Sequence, residues 1–222
     1  MRKLSFMGLT SILSISDEQA MWRVQNQDDH KAFTLLVERW EERICHLCTR
    51  MVGNRHSAED LTQEAFVRVF AKRKNYHPDK RFSTYLWRIA LNLCYDELRR
   101  VTRRSESTLD PENDGIGPLE ESATEVSGPD MCLVEQEEAD LVRHAVLQLP
   151  EIYRTVLVLR HYENLKLREV AEIMDVPEGT VNSRIAEALV RLTRILEPRF
   201  SGARPALSKP TRSNNRKEIL VV

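Results

Sequence analysis

The sequence predicts an all-α protein of two small helical domains joined by a flexible acidic linker. Three observations carry that prediction. Apolar residues recur at three- and four-residue spacing through most of the chain, and no stretch alternates with period two for long. The chain has 7 Gly in 222 residues and 6% aromatics, with Leu, Arg, Glu and Val common, a mixture that favours helices. From about Ser105 to Asp130 the composition turns to Asp, Glu, Ser, Pro and Gly, with too little apolar surface to order itself.

The elements follow in order. Residues 1–16 begin Met1-Arg2-Lys3, and their apolar stretch is broken by Ser5, Gly8, Thr10, Ser11 and Ser14 with no clear cleavage site after it. They are expected to be a flexible N-terminal arm. Asp17 is placed to cap a helix to about Gln27, and Asp28 or Asp29 to cap the next. In that helix Phe33, Leu36, Val37, Trp40, Ile44, Leu47, Cys48 and Met51 form one apolar stripe that stops at Gly53-Asn54. Ser57, followed by Glu59 and Asp60, is expected to cap a third helix with a stripe of Leu61, Ala65, Phe66, Val69 and Phe70, ending near Lys74-Asn75. Tyr76-His77-Pro78-Asp79 reads as a turn. Ser83 is placed to cap a long helix whose Leu86, Ile89, Ala90, Leu93, Cys94 and Leu98 face inward, leaving Arg88, Arg99, Arg100, Arg103 and Arg104 for water or phosphate.

These elements make a domain of residues 17–104. An acidic linker covers 105–136, and a second helical domain covers 137–200. The helices around that domain are expected at about 131–148, 151–162, 166–174 and 178–197, with Pro150 at a helix start. Residues 201–222 read as a disordered basic tail.

The net charge of −1 conceals a sharp division. Residues 68–104 carry 11 Lys and Arg against 3 Asp and Glu, whereas residues 105–140 carry 12 Asp and Glu and no Lys or Arg. A basic block of this kind is the footprint of phosphate binding, or else a solvated helix face. The four cysteines form no disulfide framework. Cys45-His46-Leu47-Cys48 lacks the second ligand pair that zinc needs, and it lies at helical spacing beside Ile44 and Met51, which fits small buried hydrophobes. No run is apolar enough to span a membrane. No Gly-rich phosphate loop, metal cluster or Ser/His/Asp pattern appears, so neither an enzyme, a cofactor nor a small-molecule substrate is expected.

Residues Leu167 to Leu192 read LREVAEIMDVPEGTVNSRIAEALVRL. Val170, Ala171 and Met174 supply the inner face of a first short helix, Asp175-Val176-Pro177-Glu178 makes a turn, and Val181 and Ile185 pack a second helix down. Thr180, Asn182, Ser183, Arg184 and Glu187 are then sent outward. A helix exposing short polar residues and an Arg near its N-terminus suits the DNA major groove, where Arg pairs with guanine and Asn with adenine.

This segment resembles region 4.2 of the sigma-70 superfamily of bacterial RNA polymerase sigma factors, which reads the −35 promoter element. Leu149-Pro150-Glu151-Ile152-Tyr153-Arg154 resembles region 4.1. The helix containing AEDLTQEAFVRVF is similar to region 2.2, and the resemblance implies that Asp60, Gln63, Glu64 and Val67 meet the β′ coiled coil of core polymerase. Arg81 to Asn92, followed by Asp96-Glu97-Leu98-Arg99-Arg100, resembles regions 2.3 and 2.4, which read and melt the −10 element. Tyr76, Lys80, Arg81, Trp87, Arg88, Asn92, Arg99 and Arg100 are the candidates for that work. Basic side chains hold phosphates there, and the loop at 75–82 holds an extruded base; its stacking returns about 1–3 kcal/mol.

The motifs occur in order over residues 17–104 and 137–197, and the lack of further domains points to the extracytoplasmic-function group. The resemblance implies core polymerase (β′ coiled coil and β flap), promoter DNA and an anti-sigma factor as partners, in the cytoplasm. Two departures stand out. The family's Phe-x-x-Trp-Leu is here Phe82, Tyr85 and Trp87, with the indole moved two places. Glu187 stands where a base is common, which implies weak or unusual −35 recognition. Two rival readings stay open: a helix-turn-helix regulator that binds duplex DNA alone, and a polymerase-binding adaptor without initiation activity.

Overall fold

The computed structural model describes residues 15–107 and 133–200. Residues 1–14 of the expected arm, the expected tail and residues 108–132 of the expected linker lie outside the described residues. Those described are helical, with no strand among them.

Helix α1 (Asp17–Gln27) starts one residue earlier than expected. Ser16 is its N-cap, and Ser16 and Gln19 each accept the other's backbone N–H at 3.2 Å. Asp17 is drawn off by a stronger demand. Its carboxylate accepts from Arg39 Nη1 at 2.9 Å and from the indole Nε1 of buried Trp40 at 2.8 Å. Asp28 closes α1 in the left-handed region at φ 49°, and Asp29 caps α2 (His30–Val52) by accepting from the Lys31 and Ala32 N–H groups. Gly53 ends α2 at φ 79°, a conformation that costs a residue with a Cβ.

Helix α3 (Arg55–Ala71) is capped by Asn54, not Ser57. The Asn54 side chain accepts the Ser57 N–H at 2.8 Å, so the helix begins before the expected cap. A 3₁₀ turn at Arg73–Asn75 leads to the loop before α4 (Phe82–Ser107). Ser83 does not cap α4. Glu18 of α1 accepts the Phe82 N–H at 3.3 Å, a long-range cap that no local motif signals.

In the second half, α5 (Leu133–Leu147) is followed by α6 (Glu151–Leu157), which runs into a π-helical turn at Val158–Tyr162. Asn164 takes φ 54° in the connection to α7 (Leu167–Met174). Asp175 closes α7 at φ 56°, and α8 (Glu178–Phe200) follows. The buried face of α7 is Val170, Ala171 and Ile173, with Met174 only half-buried.

The first half is organised around an aromatic cluster. Trp40 meets Trp87 and Phe82 edge-on at 5.9 and 6.4 Å between ring centroids, and Tyr76 meets Phe82 at 6.3 Å. The two halves also touch. Helix α2 packs against α5, α6 and the π-helical turn, and α4 packs against α7.

Candidate polymerase and nucleic-acid interfaces

Helix α3 sorts its side chains cleanly. Ala58, Thr62, Ala65, Phe66 and Val69 are buried, which turns Asp60, Gln63, Glu64 and Val67 to solvent together. Val67 is an apolar residue left 59% exposed. Glu64 pairs with Arg68 at 2.8 Å on an exposed face, where such a pair is worth little and is easily exchanged for another cation.

The loop between the 3₁₀ turn and α4 is held from below. Tyr76 is 3% exposed, and its hydroxyl donates to the Lys80 carbonyl at 2.6 Å. Burial, with Glu18 nearby, pushes that phenol up to about 12. Gln25 of α1 donates to the Lys74 and Tyr76 carbonyls at 3.2 and 2.9 Å. His77, Pro78, Asp79, Lys80 and Arg81 are left exposed.

Two sequence-predicted DNA contacts are corrected by this arrangement. Tyr76 and Trp87 lie in the core, Trp87 at 1% exposed, so neither ring presents a face to a base. The aromatic cluster consumes them because a small domain with few aromatics needs them for its core. Phe82 is fully buried as well. An exposed aromatic that the motif reading missed is Trp22 of α1, 47% exposed, beside Gln25, Asn26, Lys74 and Pro78 in an open cleft of about 380 Å³. Its signal was a Trp outside the 3–4 stripe.

Along α4, Asn92, Arg99 and Arg100 are exposed. Arg99 and Arg100 make short-range pairs with Asp96 and Glu97 at 3.7 and 2.7 Å. Arg81 and Arg88 instead reach the second half. Arg81 Nη1 lies 2.6 Å from Glu169 Oε1, and Arg88 donates through Nε and Nη2 to the Glu172 carbonyl, the first at 3.1 Å.

The helix-turn-helix forms at α7 and α8. Glu169 accepts the Lys166 N–H at 2.9 Å, which fixes the start of α7, and this bond holds its carboxyl below the usual glutamate range, with Arg81 adding to the effect. Val181 and Ala188 are fully buried. Asn182 and Ser183 are exposed, whereas Thr180, Arg184 and Glu187 are half-buried. Glu187 pairs with Arg191 at 2.7 Å, and the Arg191 guanidinium sits 4.6 Å over the Tyr153 ring. The acidic residue is therefore partly neutralised by its own helix. Beyond it, Leu189 and Val190 are 44% and 46% exposed.

Cys48 and Cys94 are buried and reduced, and Cys45 is half-buried; no group of ligands able to hold a metal occurs among the described residues. None of the described helices is long and apolar enough to cross a membrane.

The comparisons agree with this layout. The family described as Sigma-70 region 2 matches residues 36–104, and Sigma-70, region 4 matches residues 139–192. The chain is 36% identical over 160 residues to the ECF RNA polymerase sigma factor SigW of Bacillus subtilis, covering 71% of this chain and 84% of that protein. It is 33% identical over 183 residues to the RNA polymerase sigma-H factor of Pseudomonas aeruginosa, covering 82% and 94%. Among solved structures, CnrH in complex with the cytosolic domain of CnrY superposes with a TM-score of 0.60 at 20% identity, covering 82% of this chain and 97% of CnrH. The sigma factor RpoE of Bartonella quintana, solved with the anti-sigma factor NepR, gives 0.57 at 20% identity, covering 75% and 98%. The chain belongs to the extracytoplasmic-function group of the sigma-70 family, the factors that direct RNA polymerase to initiate transcription at promoters.

Proposed function

We propose that the two halves divide the work of initiation as regions 2 and 4 do: residues 17–104 bind core polymerase and read and melt the −10 element, and residues 137–200 read the −35 element. The observation that carries this is the helix-turn-helix, whose second helix exposes Asn182 and Ser183 at its N-terminal end, in the same chain as the basic face of α4. Residues 105–136 connect the two.

On this reading Asp60, Gln63, Glu64 and Val67 form the polymerase contact, an apolar centre ringed by acceptors for a basic partner helix. Lys80, Arg81, Arg88, Asn92, Arg99 and Arg100 hold −10 phosphates and bases. Tyr76 and Trp87 act from beneath, shaping the loop without touching DNA. Thr180, Asn182, Ser183, Arg184 and Glu187 face the −35 element. An anti-sigma factor is a fitting partner, since CnrH and the Bartonella RpoE are solved with CnrY and NepR. The protein works in the cytoplasm beside polymerase, and no catalytic residue or cofactor is assigned to it.

Run-off transcription from genomic fragments, with core polymerase and each variant, tests these roles. Glu64→Lys with Val67→Asp is expected to abolish core binding and all defined transcripts. Asn182→Ala with Arg184→Ala is expected to keep core binding and lose transcripts that depend on the −35 element. Loss of core binding by the second pair, or its retention by the first, overturns the assignment.

A further inference from the structure

Helix α1 buries Ala20, Met21 and Val24 completely, yet Trp22 between them keeps 47% of its surface in solvent. The other two tryptophans of the chain, Trp40 and Trp87, are buried. A single exposed apolar side chain is ordinary. What distinguishes Trp22 is its surroundings.

Trp22, Gln25 and Asn26 stand three and four positions apart on one face of α1, with Glu18 one turn earlier. This face holds the loop before α4 at both ends. Glu18 accepts the Phe82 N–H at 3.3 Å, and Gln25 donates to the Lys74 and Tyr76 carbonyls at 3.2 and 2.9 Å. The Tyr76 hydroxyl ties the Lys80 carbonyl from inside at 2.6 Å. The indole thus stands beside a loop that is fixed in place, and Lys74 and Pro78 complete the open cleft around it.

The surroundings are basic. Between residues 72 and 81 the chain carries Lys72, Arg73, Lys74, Lys80 and Arg81 against the single acid Asp79, and Arg73 is paired with Asp28 at 2.7 Å. A flat aromatic face with a lysine beside it suits a nucleotide, since the ring takes the base and the ammonium takes the adjoining phosphate. An open cleft admits a planar group that stays attached to a strand crossing the surface. The cleft is also continuous with the exposed residues 77–81, the loop expected to receive an extruded base. An apolar protein surface seated here would leave the polar groups of Lys74, Gln25 and Asn26 without water.

We infer that Trp22 is a second base platform: an unpaired base of the strand separated at the −10 element stacks on its indole, with Lys74 on the adjoining phosphate. This rests on the reading of residues 17–104 as the part that reads and melts that element. Tyr76 and Phe82, the aromatics at the two ends of the loop, are buried, so α1 supplies an exposed ring that they do not. Stacking tolerates any base, so Trp22 strengthens the hold on the open strand without selecting its sequence.

The test is binding of the full chain, assembled with core polymerase, to a fluorescein-labelled promoter fragment already unpaired across the −10 element. Trp22→Ala is expected to weaken binding about five- to hundredfold, the range for one stacked base, and Trp22→Phe to restore most of it. Lys74→Gln is expected to flatten the salt dependence by about 0.7, the value for one phosphate contact on a single strand. Removing bases one at a time from the unpaired strand locates the contact. At one position an abasic site should weaken wild type by the same factor and weaken Trp22→Ala no further, whereas abasic sites elsewhere should weaken both alike.

Unchanged affinity of Trp22→Ala, or equal losses by the two proteins at every abasic position, overturns the inference. Weakened binding of Trp22→Ala to core polymerase itself, with an unchanged melting temperature, also overturns it and makes Trp22 a protein contact. Lys80→Ala with Arg81→Ala tests the underlying reading. If that pair binds the fragment as wild type does, the −10 assignment falls and the platform with it. A weakened pair beside an unaffected Trp22→Ala removes the platform alone.

Discussion

The guanidinium of Arg154, on α6, donates through Nη1 to the carbonyl of Met51 in the last turn of α2, 103 positions away in the chain. Its Nη2 donates to the carbonyls of Leu147 and Leu149, the latter at 3.1 Å. One side chain thus closes the ends of α2 and α5 and ties the two halves. Burial pulls its pKa below the usual arginine value, yet an arginine keeps its proton in a protein.

Removing this fork leaves buried carbonyls without donors. Arg154→Ala is expected to lower stability by about 2–4 kcal/mol, since each buried unsatisfied group costs about 1–3 kcal/mol. Arg154→Lys should recover only part of the loss, because an ammonium lacks the planar fork that reaches separate carbonyls. Urea unfolding of the three proteins checks the order. Equal stability of the Lys variant and wild type would remove the geometric role.

Glu163 gives the protein a pH dependence with a definite sign. Burial pushes its carboxyl above the ordinary glutamate value, outweighing Arg50, Arg43 and His46, which pull it down. A raised pKa favours the packed state when the group is protonated. Its contribution is complete below the unfolded value of about 4.3 and is lost as pH rises through the folded value. Glu163→Gln, which stays neutral, is therefore expected to gain on wild type as pH goes from acid to neutral. Urea midpoints at several pH values measure this. A gain by wild type instead would mean that the arginines outweigh desolvation.

Asn164 sits exposed at φ 54°, in the left-handed region where a Cβ meets the following carbonyl. Asn164→Ala is expected to cost about 1 kcal/mol and Asn164→Gly nothing or a slight gain. The thermal midpoints of the two variants should differ in that direction.

Glu187 turns from its own Arg191 toward DNA if α8 enters a major groove. Glu187→Arg is expected to raise affinity for duplex DNA of mixed sequence and to steepen the salt slope by about 0.9, the value for one added phosphate contact. Arg191 stays anchored on the Tyr153 ring, so the change is local. Unchanged affinity and slope would show that this face of α8 does not meet DNA.

Much of the site was legible because it depends on local periodicity. The exposed quartet on α3 follows from a 3.6-residue repeat and the burial of Ala58, Ala65, Phe66 and Val69. The turn at Asp175 and the inward Val181 follow likewise from spacing. The caps were less legible: Ser16, Asn54 and Glu18 displaced Asp17, Ser57 and Ser83. A capping side chain goes to whichever demand is strongest in space, and for Asp17 that was the Trp40 indole. Tyr76 and Trp87 were misplaced for a related reason, since sequence distinguishes a stacking aromatic from a core aromatic only by where its neighbours fall.

The sequence by itself determined the helical class, the order of the two halves, the basic and acidic blocks and the helix-turn-helix, because periodicity, charge and turn chemistry act between near neighbours. Only the tertiary structure decided that Arg81 and Arg88 meet Glu169 and Glu172, that Arg154 caps Met51, and that Glu163 lies between Arg43 and Arg50. Those contacts join residues more than 80 positions apart, and their partners are chosen by how two packed surfaces fit rather than by any pattern along the chain.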